Sequence, residues 1–504
     1  MIDLSNCENE QIHIVGKVQS HGLLFVLDER DLKILQISTN CKEKLGLSPE
    51  TFLGSKFDLF LSENNIELVK KWLRADSNVF PQPFDITMIV QNQEYQFDAY
   101  ATLNDGLISL ELEPFEYIDK LTFAQNSMYY SNFLTQMAVA DSIEKTIRLA
   151  LKTVAKITNY DRILLYKFDE LWNGKVIDEY LPYPALVPFL NQHFPASDVP
   201  SQARELMTQK ISRHIPDSSC SDFEVVPNIN PKNQRILDMT LSEIRYPSEM
   251  HLEYLRNMNV GGSLSVSIVV NNKLWGLLAC HHTTPKFISY YKRFLSELIA
   301  KSLGMCIGKL EANENILISE FQDGEIARFV FKALKAKTLS EGILKRCSDL
   351  VKLVDCDGVA IFSGDELAIS GDVPPEEIRN NIKDWLSLSK QLVVFHTNSL
   401  FTYMPEAREW SDNVAGILAL RIADYSDDFI IWFRKEKLKS IDWAGNPNKA
   451  AKIDPVDSRI SPRKSFDKWT EEVKYTSDDW HTSEINVARK LRKMINDVII
   501  PGLS

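Results

Sequence analysis

Basic residues are in the minority. Lys and Arg number 57 against 69 Asp and Glu, a net charge of -12. Nucleic acid and anionic membrane are therefore not expected as main partners, since both need a basic face. Long hydrophobic runs are also missing: no stretch approaches the roughly 20 apolar residues of a membrane span. The opening Met1-Ile2-Asp3-Leu4-Ser5-Asn6-Cys7 has neither a basic region nor an apolar core, so no signal peptide is expected. Cysteine is sparse, 7 residues without a CxxC pair, which argues for free thiols in a reducing compartment. No glycine-rich phosphate loop, kinase phosphoacceptor signature or GGDEF-type sequence occurs, so no catalytic residue is assigned. His281-His282 lacks zinc spacing, and no metal is expected. These absences point to a soluble cytoplasmic protein.

What is present is a chain of 504 residues, long enough for about three domains. Residues 22–37 read as two apolar strands around a charged turn, and Ser48-Pro49 as the cap and first residue of a short helix. Tyr95 to Leu112 gives further alternating strands. This α+β unit takes residues 1–120. A second unit, 125–310, opens on a helix from Thr146 to Ile157, passes into the strand Arg162–Phe168 and closes on a hairpin turned at Asn271-Asn272. A third, 311–504, repeats that grammar. A helix from Glu341 to Val354 leads into Cys356–Phe362, echoing Tyr160–Leu165, and Gly416–Ile422 with Phe429–Phe433 echo the hairpin. A duplicated domain is expected.

No proline occurs between Pro285 and Pro374, and apolar residues recur through Phe294, Leu298, Ile299, Leu303 and Ile307. One long helix therefore joins the second and third units, with Gly324 a point where it can bend. A last helix, Glu484 to Ile499, is expected to be cut off at Pro501-Gly502. From Lys437 to Asp479 there is little periodicity, three prolines and many charges, too long a stretch for an ordinary loop. Trp443, Phe466, Trp469 and Trp480 give it anchors, so it reads as an ordered arm reaching another domain.

Several short motifs follow one another in order. Cys7 precedes Ile12-His13-Ile14-Val15-Gly16 and Gln19-Ser20-His21-Gly22. Then come Phe194-Pro195-Ala196-Ser197-Asp198-Val199-Pro200, Tyr254-Leu255-Arg256-Asn257-Met258, Ala279-Cys280-His281-His282 and Pro462-Arg463-Lys464-Ser465-Phe466. Together they resemble the photosensory half of a bacterial phytochrome, over nearly the whole chain. The resemblance implies α+β PAS, GAF and PHY domains with central antiparallel sheets, joined by long helices. It also implies an N-terminal figure-eight knot, the chain start threading under a loop from Pro216 to Arg245, and a PHY tongue at about 437–479.

Read alone, Cys7 is a stray thiol and Asp198 caps the helix that starts at Ser201. The resemblance gives both a different role. Cys7 becomes the attachment point of biliverdin IXα, through a thioether to a vinyl group. Met250 stands where plant and most cyanobacterial phytochromes have an attachment cysteine. Asp198, followed by Val199 in place of the family's isoleucine, lies at the pyrrole nitrogens and faces the arm. His251 serves the same nitrogens, and His281 the carbonyl of the terminal D-ring. Arg213 and Arg245 hold the two propionates, with Ser248, Ser263 and Ser265 as hydroxyl contacts. Ser263, Ser265 and Ser267 also alternate on one strand face. Tyr166, Phe194 and Tyr254 wall the D-ring, and Met207 stands where the family commonly has tyrosine. Arg463, with Ser465 in the same motif, is expected to latch the arm onto Asp198. Trp443-Ala444-Gly445 and Trp480 to Glu484 resemble further tongue motifs.

The implied function is red/far-red light reception. Isomerisation turns the D-ring, the Asp198–Arg463 pair breaks, and the tongue refolds from hairpin towards helix. The long helices then bias a C-terminal output module, such as a histidine kinase or diguanylate cyclase, or a response regulator. A homodimer through the GAF and PHY helices, parallel or antiparallel, goes with this reading. The competing reading is a light-independent, GAF-type regulator sensing a small molecule, which leaves Cys7 and the arm unexplained.

Overall fold

The computed structural model describes residues 11–62, 64–67, 69, 83–182, 186–389, 392–424, 426–447, 451–453, 460–462 and 465–503. Cys7 and Arg463 lie outside the described residues. The chain divides into two compact units: residues 1–310 with Asp442–Trp469, and Glu311–Ile441 with Thr470–Ser504.

Among the described residues, the first unit holds two large sheets and a two-stranded one. Strands β1 (Lys17–Gln19), β2 (Leu23–Asp28), β3 (Ile34–Ser38), β4 (Phe84–Val90), β5 (Gln93–Asn104) and β6 (Leu107–Pro114) build the first. Its order is β1-β11-β3-β2-β6-β5-β4, where β11 (Asp222–Val226) comes from far downstream. The loop that follows this intruder explains the unbroken apolar run of β2. Leu23, Phe25 and Leu27 pack on one face with Phe52 and Phe57, while Leu24 and Val26 pack on the other with Val225, Leu237 and Ile244. A strand covered on both faces has no need of polar alternation. Ser48 holds the N-cap position of Pro49–Phe52 but makes no side-chain capping bond, and the helix is a single turn.

The second sheet comprises β7 (Arg162–Phe168), β8 (Gly174–Tyr180), β9 (His193–Phe194), β10 (Ser212–Ile215), β12 (Gly262–Val270) and β13 (Lys273–His282). They run in the order β10-β12-β13-β7-β8-β9, and two strands of the arm, Lys439–Ala444 and Lys468–Val473, extend the sheet beyond β9. The β12–β13 turn is at Asn271 and Asn272, both with positive φ (50° and 62°), as a tight hairpin requires. One sheet face buries Ile163, Leu165, Leu264, Val266, Ile268, Leu278 and Cys280. Against them lie Ile147, Leu151 and Val154 of the helix Ile143–Thr158 and Ile299, Leu303 and Ile307 of the helix Tyr290–Ala333. Gly304 brings that long helix close: a Cβ there would sit 2.4 Å from the Val269 carbonyl oxygen. Phe294, expected on the buried stripe, is 39% exposed.

The long helix is continuous through Gly324. In the second unit, β14 (Gly358–Ser363), β15 (Glu366–Gly371), β16 (Val394–Thr397), β17 (Gly416–Arg421) and β18 (Phe429–Arg434) form a sheet of order β15-β14-β18-β17-β16. The helix expected over Glu341–Val354 is two short ones, Leu339–Leu344 and Cys347–Leu350. Its apolar spacing survives the break, because Ile343, Cys347, Leu350 and Val354 all face the same core. The terminal helix also departs from expectation. Thr482–Met494 continues through a π turn at Ile495–Ile499 into Ile500–Leu503. The wider turn relieves the clash that Pro501 would otherwise make four residues back.

The arm leaves β18 through β19 (Lys439–Ala444), forms the pair β20 (Ala451–Ile453) and β21 (Ile460–Pro462), and returns through β22 (Lys468–Val473).

Candidate functional site: the polar face of the second sheet

The face of the second sheet turned away from its helices holds most of the residues singled out in the sequence. Register places them in rows. Arg213 on β10 faces Ser265 on β12, and Ser265 faces Ala279 on β13. Ile215, Ser263, His281 and Arg162 form the next row. The serine alternation follows from the pleat: Leu264, Val266 and Ile268 point to the core, so Ser263, Ser265 and Ser267 point away.

Two buried guanidinium groups meet at one end of this face. Arg213 Nη2 donates to the Arg245 carbonyl oxygen. Its Nη1, together with Nε and Nη1 of Arg245, is buried without a hydrogen-bond partner among the described residues. Burial first, then the Arg245 charge, pushes the Arg213 guanidinium down to about 9, and burial pushes Arg245 down to about 10. Two buried cations with spare donors form a site for anions.

His251 lies in the helix Glu249–Asn257, whose N-cap Ser248 accepts from the His251 backbone N–H at 3.3 Å. It is set deep among protein atoms yet keeps accessible surface, as does a group facing an internal concavity. Desolvation and the Arg213 charge lower it to about 4. His281 falls to about 3, through burial and then the charges of Arg162 and His251, and its Nδ1 is buried without a partner among the described residues. Both rings are therefore neutral and free to exchange donor and acceptor roles.

An apolar wall closes the other end. Tyr166, Phe194, Phe168, Phe189 and Leu277 form one cluster, with Val199, Met207 and Phe466 packed against it. The Tyr166 ring lies 5.7 Å from that of Phe194 and directly over Gly174, where a Cβ would fall 1.6 Å from Tyr166 Cζ. The Tyr254 ring stacks on His251 at 6.3 Å and meets Phe466 edge-on at 5.1 Å. Its hydroxyl donates to Asp198 Oδ2 at 2.9 Å.

That bond corrects the reading of Asp198 as a helix cap. It ends the 3-10 turn Ala196–Asp198, and the N-cap of Ser201–Gln209 is Pro200. The arm meets the site through Trp443 and Phe466, and its strand Ile460–Pro462 runs along the helix Glu249–Asn257. Trp443 pairs in parallel with His193, the residue before Phe194, and the two rings lie 5.8 Å apart. Phe466 docks on Tyr254, while Ser465 Oγ donates to Asp467 Oδ2 at 2.9 Å. Trp480 is not part of the arm. It is buried in the core of the second unit, with Nε1 donating to the Thr397 carbonyl oxygen.

The sequence reading missed the support behind His281. Arg162 Nε pairs with Glu179 Oε1 at 2.9 Å, its guanidinium sits 4.4 Å from the Phe189 ring, and Glu179 Oε2 accepts from the Phe189 N–H at 2.8 Å. An arginine at the start of an apolar strand was the available signal.

Residues 13–19 run between two stretches of the loop that follows β10. On one side β1 pairs with β11, and Val225 N donates to the Gly16 carbonyl oxygen. On the other, Gln19 N donates to Ile244, Tyr246 N to Lys17, and Met239 N to His13 carbonyl oxygens. Gln19 Nε2 reaches the carbonyls of His214 and Arg245, so the start of the chain is fixed to the arginine pair itself.

The chain matches three family profiles: PAS fold over residues 7–115, GAF domain over 142–307, and Phytochrome region over 325–502. It is 35% identical to cyanobacterial phytochrome B of Nostoc sp. over 507 residues, 99% of this chain and 66% of that protein. It is 30% identical to a bacteriophytochrome of Xanthomonas campestris pv. campestris over 525 residues, 98% of this chain and 78% of that one. It thus spans about two thirds of the length of such relatives. Among solved structures, the bacteriophytochrome of R. palustris superposes with a TM-score of 0.86 at 32% identity, and the wild-type photosensory core module of Stigmatella aurantiaca phytochrome with 0.86 at 31%, each covering 99% of both chains. Sequence, profile order and fold agree: the chain belongs to the phytochromes.

Proposed function

We propose that this chain is a red/far-red light sensor holding biliverdin IXα, attached through Cys7. The observation that carries the reading is the pair Arg213 and Arg245, with three buried nitrogens unpartnered among the described residues, at the sheet face that presents Ser263, Ser265 and His281, with His251 near Arg213. A linear tetrapyrrole has two propionates for the first and pyrrole N–H and carbonyl groups for the second. When bound, the bilin supplies light absorption and a double bond whose isomerisation turns its terminal ring.

The protein's own residues do the rest. Arg213 and Arg245 fix the carboxylates, and Ser248, Ser263 and Ser265 offer hydroxyls. Neutral His281 donates or accepts at the ring that turns, against the wall of Tyr166, Phe194, Tyr254 and Met207. Val199 packs against this wall and Asp198 accepts from Tyr254. Tyr254 bridges wall and arm, with its hydroxyl on Asp198 and its ring on Phe466, so a change at the ring is felt in the arm. Arg463 with Ser465 completes the latch, and the arm then changes from hairpin towards helix. A figure-eight knot, for which residues 13–19 already have both strands of the loop as neighbours, brings Cys7 within reach.

The domains follow as 1–120, 125–310 and 311–504. The chain itself senses and does not catalyse. An output module after Ser504, a homodimer through the long helices and a cytoplasmic location complete the reading; among the described residues, no helix is long and apolar enough to cross a membrane. No observation favours the light-independent regulator.

The test is assembly with biliverdin. The parent is expected to absorb in the red, convert reversibly under illumination and keep its bilin after denaturation. Cys7→Ser is expected to lose the denaturation-resistant adduct while still binding pigment. A fully assembled parent without photoconversion refutes light sensing, and an adduct surviving in Cys7→Ser refutes the attachment site.

A further inference from the structure

Arg434 ends β18, the last strand before the chain departs for the arm, and only 5% of it is exposed. Its guanidinium is fully employed. Nε donates to the Asp355 carbonyl oxygen at 2.7 Å, Nη1 to those of Asp479 and Asp478 at 2.9 and 3.3 Å, and Nη2 to Glu484 Oε1 at 2.7 Å. The same group lies 3.8 Å from the centre of the Trp480 ring. Glu484, also 5% exposed, accepts from the Asp355 N–H at 2.9 Å and from the His481 N–H at 2.8 Å, closing the first turn of the helix Thr482–Met494.

One side chain thus joins the outgoing strand, the segment by which the arm returns, and the start of the terminal helix. Exposed pairs lie alongside, Lys437 and Lys439 with Asp478 at 2.6 and 2.9 Å, but such contacts are weak and yield easily. The Arg434 set is different. A buried ion pair cannot part without leaving an uncompensated charge in the core, so residues 478–480 and the helix start must move together.

We propose that Arg434 is the positioning residue through which a change in the arm reaches the helix Thr482–Met494. The inference rests on the proposed arm switching and adds the place where that motion is handed on. Without the guanidinium, residues 478 and 479 lose their tie to Glu484, and the return segment keeps only the His481–Glu484 capping bond and the packing of Trp480 against the helix, so the arm can rearrange with less displacement of it.

The test compares hydrogen exchange, dark against illuminated, in the bilin-loaded full chain and two variants. One is Arg434→Lys, which keeps the charge but loses the planar fork. The other pairs Arg434→Met with Glu484→Leu, an apolar replacement of a kind that buried ion pairs often tolerate. The parent is expected to respond in both 442–473 and 482–494. In the paired variant the arm response stays, while that of 482–494 falls about fivefold or more, the low end of ordinary coupling between sites. Arg434→Lys retains part of it. If 482–494 responds as in the parent in a folded variant of either kind, Arg434 is not the link. Should the paired variant fail to fold, Arg434→Lys decides by the same criterion. A parent that does not photoconvert overturns the photoreceptor reading, and this inference with it.

Discussion

Replacing Arg245 by methionine should separate two consequences of the buried guanidinium pair. In the apoprotein the cation is a burden: Nε and Nη1 have no partner among the described residues, and burial has already pushed the group down to about 10. The backbone bonds of residue 245 survive the change, because the carbonyl accepts from Arg213 and Gln19 whatever the side chain. Removing a poorly compensated buried charge while keeping the volume is therefore expected to leave apoprotein stability unchanged, or raise it by up to about 2 kcal/mol. With bilin the sign reverses. A charge-assisted hydrogen bond to a carboxylate contributes about 1.5–3 kcal/mol, so loss of one such contact should weaken reversible binding by about 30-fold. The assay is denaturant unfolding of both apoproteins, with pigment titration in a Cys7→Ser background so that binding stays reversible. A bilin dimethyl ester is the control, since it has no carboxylates to lose. The reasoning is refuted if the apoprotein is destabilised by more than about 2 kcal/mol, or if free acid and ester lose affinity equally.

Three further outcomes follow from the site. Tyr254→Phe deletes the hydroxyl that donates to Asp198 at 2.9 Å; it should cost about 1 kcal/mol of stability by urea unfolding and reduce the light-induced exchange change in 465–473. Gly174→Ala would place a Cβ 1.6 Å from Tyr166 Cζ, so the ring must leave; about 1–3 kcal/mol should be lost, with a shifted pigment spectrum, and Tyr166→Ala in the same chain should relieve the loss. His251 and His281 are lowered to about 4 and about 3 by desolvation and neighbouring charges, so the folded protein favours their neutral forms. The unfolded chain takes up protons below about 6.5, so apoprotein stability should fall as pH drops from there towards 4, by at most about 1.4 kcal/mol per pH unit for each ring. Replacing both with glutamine should flatten that slope, and an unchanged slope would contradict the lowered affinity of the rings for protons.

Local pattern made the hairpin at Asn271-Asn272, the strands around residues 22–37 and the long helix legible, because each rests on neighbours in sequence. Asp198 taken alone reads as a cap for the same reason: its partner, Tyr254, is 56 residues away, and no local signal announces it. The unbroken apolar run of β2 was visible, but not its cause, the cover that Leu237, Met239 and Ile244 give its second face from the loop far downstream. Trp480 looked like an anchor of the arm since it follows the same polar stretch; only packing shows that it belongs to the core of the second unit. The ion pair Arg162–Glu179 was passed over because a buried charge in a strand reads as a strand boundary.

The duplicated grammar of the second and third domains makes it a fair question why only one of them has a polar site. In both, one sheet face is covered by helices. On the other face the second domain presents Ser263, Ser265, His281 and Arg162. The third presents Ala360, Phe362, Ile417, Ala419, Phe429, Ile431 and Phe433, closed over by Ile378, Ile382 and Leu386 of the helix Glu376–Leu388 with Leu400 and Met404. Such a face is filled by its own side chains, at the density of an ordinary core. The difference is written in the strands. Gly262-Ser263-Leu264-Ser265-Val266-Ser267 alternates polar and apolar residues, whereas Gly416-Ile417-Leu418-Ala419-Leu420 and Phe429-Ile430-Ile431-Trp432-Phe433 do not alternate at all. A strand buried on both faces by protein can be apolar throughout, while one whose second face is polar must keep its period of two. Period two persists on β12 although Ser263 and Ser267 are themselves buried. Buried hydroxyls need hydrogen-bonding partners, and those of Ser263 and Ser265 are the ones a polar ligand on this face would meet.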